Sequence, residues 1–154
     1  MNSILLGKKM GPRRKGRILA VQSLFAWDFT RCSIDNLSDF SWASEKDPQL
    51  VDETILDFAR LLIAGTIENI EAVDEVIAKH LEHWDFSRLN RIDLAILRIS
   101  VFSLLFMKDI PVSVAIDEAI DISKEFGTDE SYRFINGVLD GIRKSIEKEN
   151  EKST

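Results

Sequence analysis

Apolar residues recur at intervals of three and four positions through most of this chain, which is the spacing of one face of an α-helix. Runs that alternate apolar and polar residues between turn signals, as a half-buried strand requires, are hard to find. The pattern therefore predicts an all-α domain without a sheet. Its longest stretch runs from Gln49 to Leu81, where we expect one long helix with Gly65 as its weak point and the place where a bend would fall.

The first predicted helix starts at Pro12, since proline suits a first-turn position, and ends near Phe29. Residues 30–48 are rich in polar turn formers. They allow only one short helix, around Leu37, Phe40 and Trp42.

A very apolar helix follows the irregular segment at 83–90, with Ser87 or Asn90 as its expected N-cap. Apolar residues cover nearly all of its sides, as in a helix that is packed among others. We therefore expect this helix to lie at the centre of the core.

Two further helices are predicted towards the C-terminus. Pro111 starts the first of them, and Gly127 ends it. Thr128 is the expected N-cap of the last helix, because threonine is a favoured capping residue. Asp129 and Glu130 would then lie in the first turn, where the helix dipole favours negative charge.

Composition places the chain among ordinary globular domains: 45% of its 154 residues are apolar and 30% are charged. The single cysteine, Cys32, excludes an internal disulfide and favours a reducing, cytoplasmic setting. The longest apolar runs fall far short of the roughly 20 residues that cross a bilayer. Neither a membrane span nor a secretory signal is predicted.

The distribution of charge is more informative than the net charge of −6. Residues 1–17 hold six of the 20 basic residues and no acid, so the other 14 basic residues face 26 acids, and residues 18–154 carry −12. A basic N-terminal arm on an acidic body can attract a polyanion. A solvated terminus that aids solubility is an equally good interpretation of the charge alone.

Enzyme and metal signatures are missing from the sequence. There is no P-loop, no Gly-x-Gly-x-x-Gly turn and no Gly-x-Ser-x-Gly elbow, so we expect no catalytic residues and no cofactor. His80 and His83 stand at helical spacing, but no further histidine exists to complete a metal site, and a polar helix end is the simpler interpretation. No histidine lies close in sequence to Cys32, so its thiol is expected to be inert.

The strongest chemical signal is a basic run at the start of the first helix, formed by Arg13, Arg14, Lys15 and Arg17. Guanidinium groups pair with phosphate oxygens through two hydrogen bonds, and they also stack on bases. The helix dipole attracts anions to the same end. Such a site suits unstacked single-stranded RNA, provided that aromatic or polar side chains lie beside it.

Two stretches of this sequence have a distinctive order of residues. The first runs from Arg13 to Trp27 and begins with the basic run. The second comprises Asp109-Ile110-Pro111, Val114-Ala115-Ile116-Asp117-Glu118-Ala119-Ile120, Lys124, Phe126-Gly127 and Phe134-Ile135-Asn136-Gly137-Val138-Leu139-Asp140. With Leu97-Arg98-Ile99 between them, they resemble the NusB family of bacterial transcription antitermination factors over residues 13–146 in order, and the first stretch resembles the basic first helix of that family.

The resemblance implies an all-helical fold of two packed three-helix-type bundles without catalytic activity. Members of the family pair with NusE, a small-subunit ribosomal protein, and bind boxA RNA in the leaders of nascent ribosomal RNA. The complex then joins RNA polymerase and helps it to resist termination. Some NusB-like proteins are dimers, so a homodimer is also open.

By position, the resemblance assigns an RNA-facing set of residues and one residue that faces NusE. The RNA-facing set is Arg13, Arg14, Lys15, Arg17, Gln22, Arg98, Phe126, Glu130, Phe134 and Asn136. Asp93 matches the acidic position that faces NusE. Structural roles are open as well: Phe126 and Phe134 also fit a partly buried place in the core. Glu130 also suits a helix N-terminus, and Gly137 a close contact between helices.

The sequence departs from the family at two positions. The family often has tyrosine where this chain has Phe25, so a hydroxyl contact would be missing there. An acidic residue is usual where this chain has Ser103, which puts a local ion pair for Arg98 in doubt.

We expect a flexible basic extension over residues 1–12, a single domain over 13–148 and a frayed tail over 149–154, with Met10 as an alternative start. Two other functions are open. One is the NusB-like domain of an RNA cytosine methyltransferase, although such enzymes continue into a Rossmann-type domain that this chain lacks. The other is a self-associating helical module whose basic arm packs on its own acidic body.

Overall fold

The computed structural model describes residues 11–44 and 52–152, apart from the side chains of Trp42 and Ser44. The chain divides into two compact units: unit 1 extends to Glu68, and unit 2 begins at Asn69. Every regular element in the described ranges is a helix, so the all-α prediction is confirmed. In those same ranges, no helix has the length and apolar character that crossing a membrane requires.

Unit 1 contains α1 (Pro12–Thr30), α2 (Ile34–Leu37), α3 (Ser41–Ser44) and α4 (Glu53–Glu68). α1 has the predicted limits, with proline in its first turn, and it ends where Arg31 adopts a left-handed conformation with φ of 53°. The short helix expected after α1 is present as two shorter ones, α2 and α3, with Leu37 and Phe40 buried.

α1 and α4 pack against each other and supply most of the core of unit 1. Leu24 and Leu62, one from each helix, are fully buried. Gly16 lets the two helices approach closely, because a Cβ atom there would lie 2.8 Å from the Phe58 ring and 3.2 Å from the Ile55 carbonyl oxygen. A larger residue at Gly16 would therefore push α4 away.

Unit 2 contains α5 (Ile70–Lys79), a 3₁₀ turn (Phe86–Arg88), α6 (Arg91–Phe106), α7 (Val112–Phe126) and α8 (Ser131–Lys152). α6 is its central helix: every residue from Asp93 to Leu104 is buried, and α5, α7 and α8 all pack on it. Of the two expected caps, Asn90 is the one used, since its Oδ1 accepts from the N–H of Ile92 at 2.9 Å. The predicted central place of this helix is confirmed for unit 2.

The single long helix predicted over residues 49–81 is wrong. α4 and α5 are separate helices divided at Asn69, which has φ of −113° and ψ of 23°. Gly65, the expected weak point, lies inside α4. The apolar spacing continues across the break because α4 buries its apolar face in unit 1 and α5 buries its own in unit 2. Spacing alone therefore does not show where one unit ends and the next begins. Residues 49–51 lie outside the described residues.

The predicted N-cap of the last helix is also wrong. α8 begins at Ser131, because residues 128–130 form a turn closed by the Ser131 N–H, which donates to the Thr128 carbonyl at 3.1 Å. The Ser131 hydroxyl in turn accepts from the Thr128 N–H at 2.9 Å, so this contact runs opposite to the predicted cap. Gly127 ends α7 as predicted. Its role is close packing, since a Cβ atom there would lie 2.5 Å from the Ser131 side chain.

Part of the predicted domain organisation concerns the ends of the chain. Residues 1–10 of the basic extension, including Met10, lie outside the described residues. At the other end, α8 continues through Lys152. The limits of 13 and 148 for a single domain stay a prediction.

Candidate nucleic-acid interface

Five of the residues assigned to RNA lie on α1 in unit 1. Arg13 is exposed and Arg14 is half-buried, whereas Lys15, Arg17 and Gln22 are buried. Arg17 belongs to the same basic run as Arg13 and Arg14, but only 7% of the residue is exposed. α1 presents Arg13 and Arg14 as its more accessible cations.

Two of these arginines are held by an aromatic ring. The guanidinium carbons of Arg13 and Arg17 lie 4.4 Å and 5.2 Å from the centre of the Phe58 ring, which is itself buried in unit 1. Gly16 makes this possible by letting the ring approach α1. Each cation–π contact at an exposed site contributes about 0.5–1 kcal/mol. The ring thus fixes the positions of two guanidinium groups at the start of α1.

In unit 2, a cavity of about 610 Å³ lies between the segment that precedes α6 and the start of α8. Its chemistry is carried by Trp84, Arg88, Asp93, Glu130, Arg133 and Phe134. Three of these were predicted site residues, and the cavity unites Asp93, which the resemblance assigned to NusE, with Glu130 and Phe134, which it assigned to RNA. Cations, carboxylates and aromatic rings in one concave site suit a ligand that has charge, hydrogen-bonding groups and flat apolar faces.

Asp93 is the most unusual group of this cavity. It is only 7% exposed, and no described residue hydrogen-bonds its Oδ1 atom. Burial raises the pKa of its carboxyl above the usual value of 3.8, and a hydrogen bond with Ser131 partly offsets that rise. Folding therefore leaves this carboxylate short of hydrogen bonds at the wall of a cavity, where it would gain from a donor.

Trp84 and Phe134 form the aromatic part of the cavity. Their ring centres are 5.4 Å apart in an edge-to-face arrangement. Trp84 is 61% exposed and Phe134 is half-buried, so the pair presents ring surface that a flat ligand can contact.

Sequence reasoning missed Trp84, Arg88 and Arg133. A signal existed for Trp84, a large aromatic in a polar segment with no helical face on which to bury it. No such signal existed for Arg88 and Arg133, because their sequence context is that of ordinary surface cations. Only the fold places them at the cavity.

Arg98 is enclosed in unit 2. Its residue is 3% exposed, and its Nε and Nη2 atoms each donate to an Asp74 carboxylate oxygen at 2.9 Å. The acidic partner that Ser103 does not provide thus comes from α5, while the Ser103 hydroxyl donates to the Ile99 carbonyl at 3.2 Å. Arg98 therefore ties α6 to α5, and a direct contact with RNA stays a prediction.

Phe126 and Asn136 are not among the residues that line the cavity. Phe126 is half-buried at the end of α7, and Asn136 is exposed on α8. The alternative that Gly137 serves a close contact between helices is wrong for the described residues, since none of their atoms lies within 4 Å of the position of its missing Cβ.

His80 and His83 are the two histidines of the chain. The ring of His80 is hydrogen-bonded to the Val76 carbonyl at 2.8 Å through Nδ1 and to the Ser145 hydroxyl at 2.9 Å through Nε2. His80 thus joins the end of α5 to α8. Among residues 11–44 and 52–152, no group of three or more His, Cys, Asp or Glu side chains could hold a metal ion.

Comparison with known proteins gives a consistent result. The family model of NusB matches residues 14–144. The transcription antitermination protein NusB of Treponema pallidum is 51% identical over 133 residues, which are 86% of this chain and 93% of that protein. The solved structure of T. maritima NusB is 38% identical, with a TM-score of 0.74 over 88% of this chain and 93% of the other. A crystal structure of the antitermination factors NusB and NusE in complex with dsRNA contains a chain that is 26% identical, with a TM-score of 0.77 over 89% of this chain and 99% of that one. This chain belongs to the NusB family.

Proposed function

We propose that this protein is a non-catalytic RNA-binding adaptor of transcription antitermination. It pairs with NusE, binds boxA RNA in nascent ribosomal RNA leaders, and joins the antitermination complex on RNA polymerase, which places its work in the cytoplasm. Its relatives are named as antitermination proteins, and a similar solved chain is described in complex with NusE and RNA.

The observation that carries the proposal is the cavity of unit 2. Trp84 and Phe134 offer ring surface for an unstacked base, and Arg88 and Arg133 offer guanidinium groups for phosphates. Asp93 adds an acceptor that the described residues leave unsatisfied. Single-stranded RNA supplies all three complementary groups: flat bases, phosphates and N–H donors.

The α1 face of unit 1 contributes in a different way. Arg13 and Arg14 provide positive charge at the start of α1, so they contact the phosphate backbone and add affinity for any RNA sequence. Discrimination between RNA sequences then comes from the cavity, where base edges meet fixed side chains.

The experiment that tests this function is a titration of a boxA-like single-stranded RNA and a scrambled RNA of equal length. Each is measured with and without NusE at two salt concentrations. We expect tighter binding of the boxA-like RNA, a further gain with NusE, and a loss of affinity for both RNAs at high salt. Equal weak binding of both RNAs, unchanged by NusE, would contradict the proposal and leave the arm as a general polyanion-binding segment.

A further inference from the structure

A second cavity, of about 370 Å³, adjoins the first in unit 2. Trp84, Arg133 and Phe134 line both cavities, so they form the wall between them. We propose that the second cavity binds one further nucleotide of the RNA strand that occupies the first cavity. This inference rests on the proposed function and extends it, because it assigns RNA contacts to α5 and to the middle of α8.

The shared wall suits a strand that passes from one cavity to the other. Trp84 is a large apolar side chain left 61% exposed, and its edge-to-face contact with Phe134 holds it in place. A tryptophan that lines two cavities offers ring surface to a base in each of them. Bases stack on such rings with little dependence on sequence, as an extension of a specific site requires.

α8 provides an open floor for a base. Gly137 and Gly141 stand one helical turn apart and line the cavity together with Val138. Glycine inside a helix costs about 0.5–1 kcal/mol relative to alanine. No described atom lies within 4 Å of the missing Cβ of Gly137, so packing within the described chain does not require a glycine there. A flat ligand that lies against the helix backbone would require it.

The rim of the cavity carries charge suited to phosphate. Lys79 and Arg133 face a single acid, Glu82, among the lining residues. The ion pair of Lys79 with Glu75, at 3.2 Å, joins two side chains that are each 67% exposed, and such pairs are weak enough for a phosphate to compete. His80 fixes the distance across the cavity, because its hydrogen bond to Ser145 holds the end of α5 on α8.

A protein segment is the other macromolecule that such a groove could take. Cations on the rim and continuity with the proposed RNA cavity through three shared side chains favour RNA. The two occupants differ in how binding depends on the length of the RNA. A nucleotide in the second cavity increases affinity only when the RNA extends beyond the core site, whereas a protein segment there increases affinity whatever the length of the RNA.

The test compares a core boxA-like RNA with the same RNA extended by two nucleotides at one end or at the other. Four proteins are titrated, with and without NusE: the wild type, Gly137→Leu, Lys79→Ala and Lys148→Ala. Gly137→Leu fills the floor and replaces glycine by a good helix former, so the fold is retained. Lys148→Ala removes the same charge as Lys79→Ala from an exposed position of α8 outside the lining of both cavities.

We expect one of the two extended RNAs to bind the wild type about fivefold more tightly than the core RNA, the low end of what one stacked base contributes. Gly137→Leu and Lys79→Ala should lose this gain and bind the core RNA as the wild type does, while Lys148→Ala keeps it. The subsite is refuted if no extension improves binding or if the gain survives both cavity variants. Weaker pairing of Gly137→Leu with NusE, with unchanged RNA binding, would make the groove a protein site. Failure of the wild type to prefer the core RNA over a scrambled one would instead refute the proposed function itself.

Discussion

The α1 face and the cavity of unit 2 are built in different ways. On α1, charge comes from a run of consecutive basic residues, and Phe58 fixes two of the guanidinium groups. In the cavity, no single segment of the chain supplies all of the charged and aromatic side chains. The site exists because α6 and α8 bring Asp93 and Phe134 together. Under the proposed function, the α1 face therefore supplies affinity that depends on salt, and the cavity supplies selectivity that depends on shape.

Arg98 offers the strongest test of this division, because it is a predicted RNA residue of unit 2 that the structure encloses. Arg98→Ala removes the two guanidinium hydrogen bonds that the Asp74 carboxylate accepts, and it should lower the free energy of unfolding by about 3 kcal/mol. Urea denaturation measures this loss. Arg143→Ala is the matched control, since Arg143 also pairs with an aspartate, Asp140, but both side chains are more exposed than Arg98, so the loss should be much smaller.

A different result for Arg98 would change the roles assigned to the α1 face and to unit 2. If Arg98→Ala kept its stability and lost RNA binding, the guanidinium would face RNA, and unit 2 would contribute a phosphate contact like those of α1.

The next largest effect is expected for Phe134→Ala. Loss of one aromatic stacking surface costs about 1–3 kcal/mol per base, so affinity for boxA-like RNA should fall by a factor of about 5 to 150. The slope of affinity against salt should not change, since no phosphate contact is removed. Phe106→Ala is the control: Phe106 is an exposed ring of unit 2, stacked on Phe102 and outside both cavities. An equal loss in both variants would show that aromatic surface in general, and not the cavity, governs binding.

The two regions also differ in how far the sequence predicts them. The basic run of α1 and the helix itself were both predictable, since charge and helical spacing are local properties. The burial of Arg17 was not, because it depends on Phe58, a residue of α4 that spacing alone does not place beside α1. The cavity was predictable only in part, through the family resemblance, which gave Asp93, Glu130 and Phe134.

The errors in the fold have the same physical origin. Apolar spacing continues through Asn69, so one helix was predicted where there are two, each buried in its own unit. Thr128 has the right chemistry for an N-cap, but Gly127 and Ser131 pack so closely that residues 128–130 form a turn instead. In both places packing contacts, which apolar spacing and capping preference do not encode, decide where a helix begins.

A smaller and uniform effect is expected on α1. Arg13→Ala with Arg14→Ala removes two accessible cations, and affinity at low salt should fall about tenfold for boxA-like and scrambled RNA alike. The slope of log affinity against log salt should become shallower by about 1.4, for two phosphate contacts with a single strand. Lys148→Ala with Lys152→Ala makes the same charge change at the end of α8. A loss confined to the boxA-like RNA would show that α1 reads sequence after all.

The smallest effect, and the one most specific to the cavity, is expected for Asp93→Asn. Because burial raises the pKa of this carboxyl in the folded protein, its contribution to stability is fully present below its usual value of 3.8 and is lost as the pH rises through the raised value. Asparagine stays neutral throughout. At pH 7 the variant should therefore be the more stable protein by about 1 kcal/mol, the low end of the cost of an unsatisfied buried group. The difference should disappear as the pH falls below 3.8.

Binding should change in the opposite direction to stability. The Oδ1 atom of Asp93 has no hydrogen-bond partner among the described residues, and a ligand N–H that reaches it recovers part of the cost of burial. Asp93→Asn keeps an oxygen acceptor but loses the negative charge that strengthens this hydrogen bond, so the variant should bind boxA-like RNA or NusE less tightly although its fold is more stable. RNA titration and NusE pairing, measured separately, show which partner supplies the donor. A variant that is more stable and binds both partners as the wild type does would show that Asp93 belongs to the packing of α6 and not to recognition.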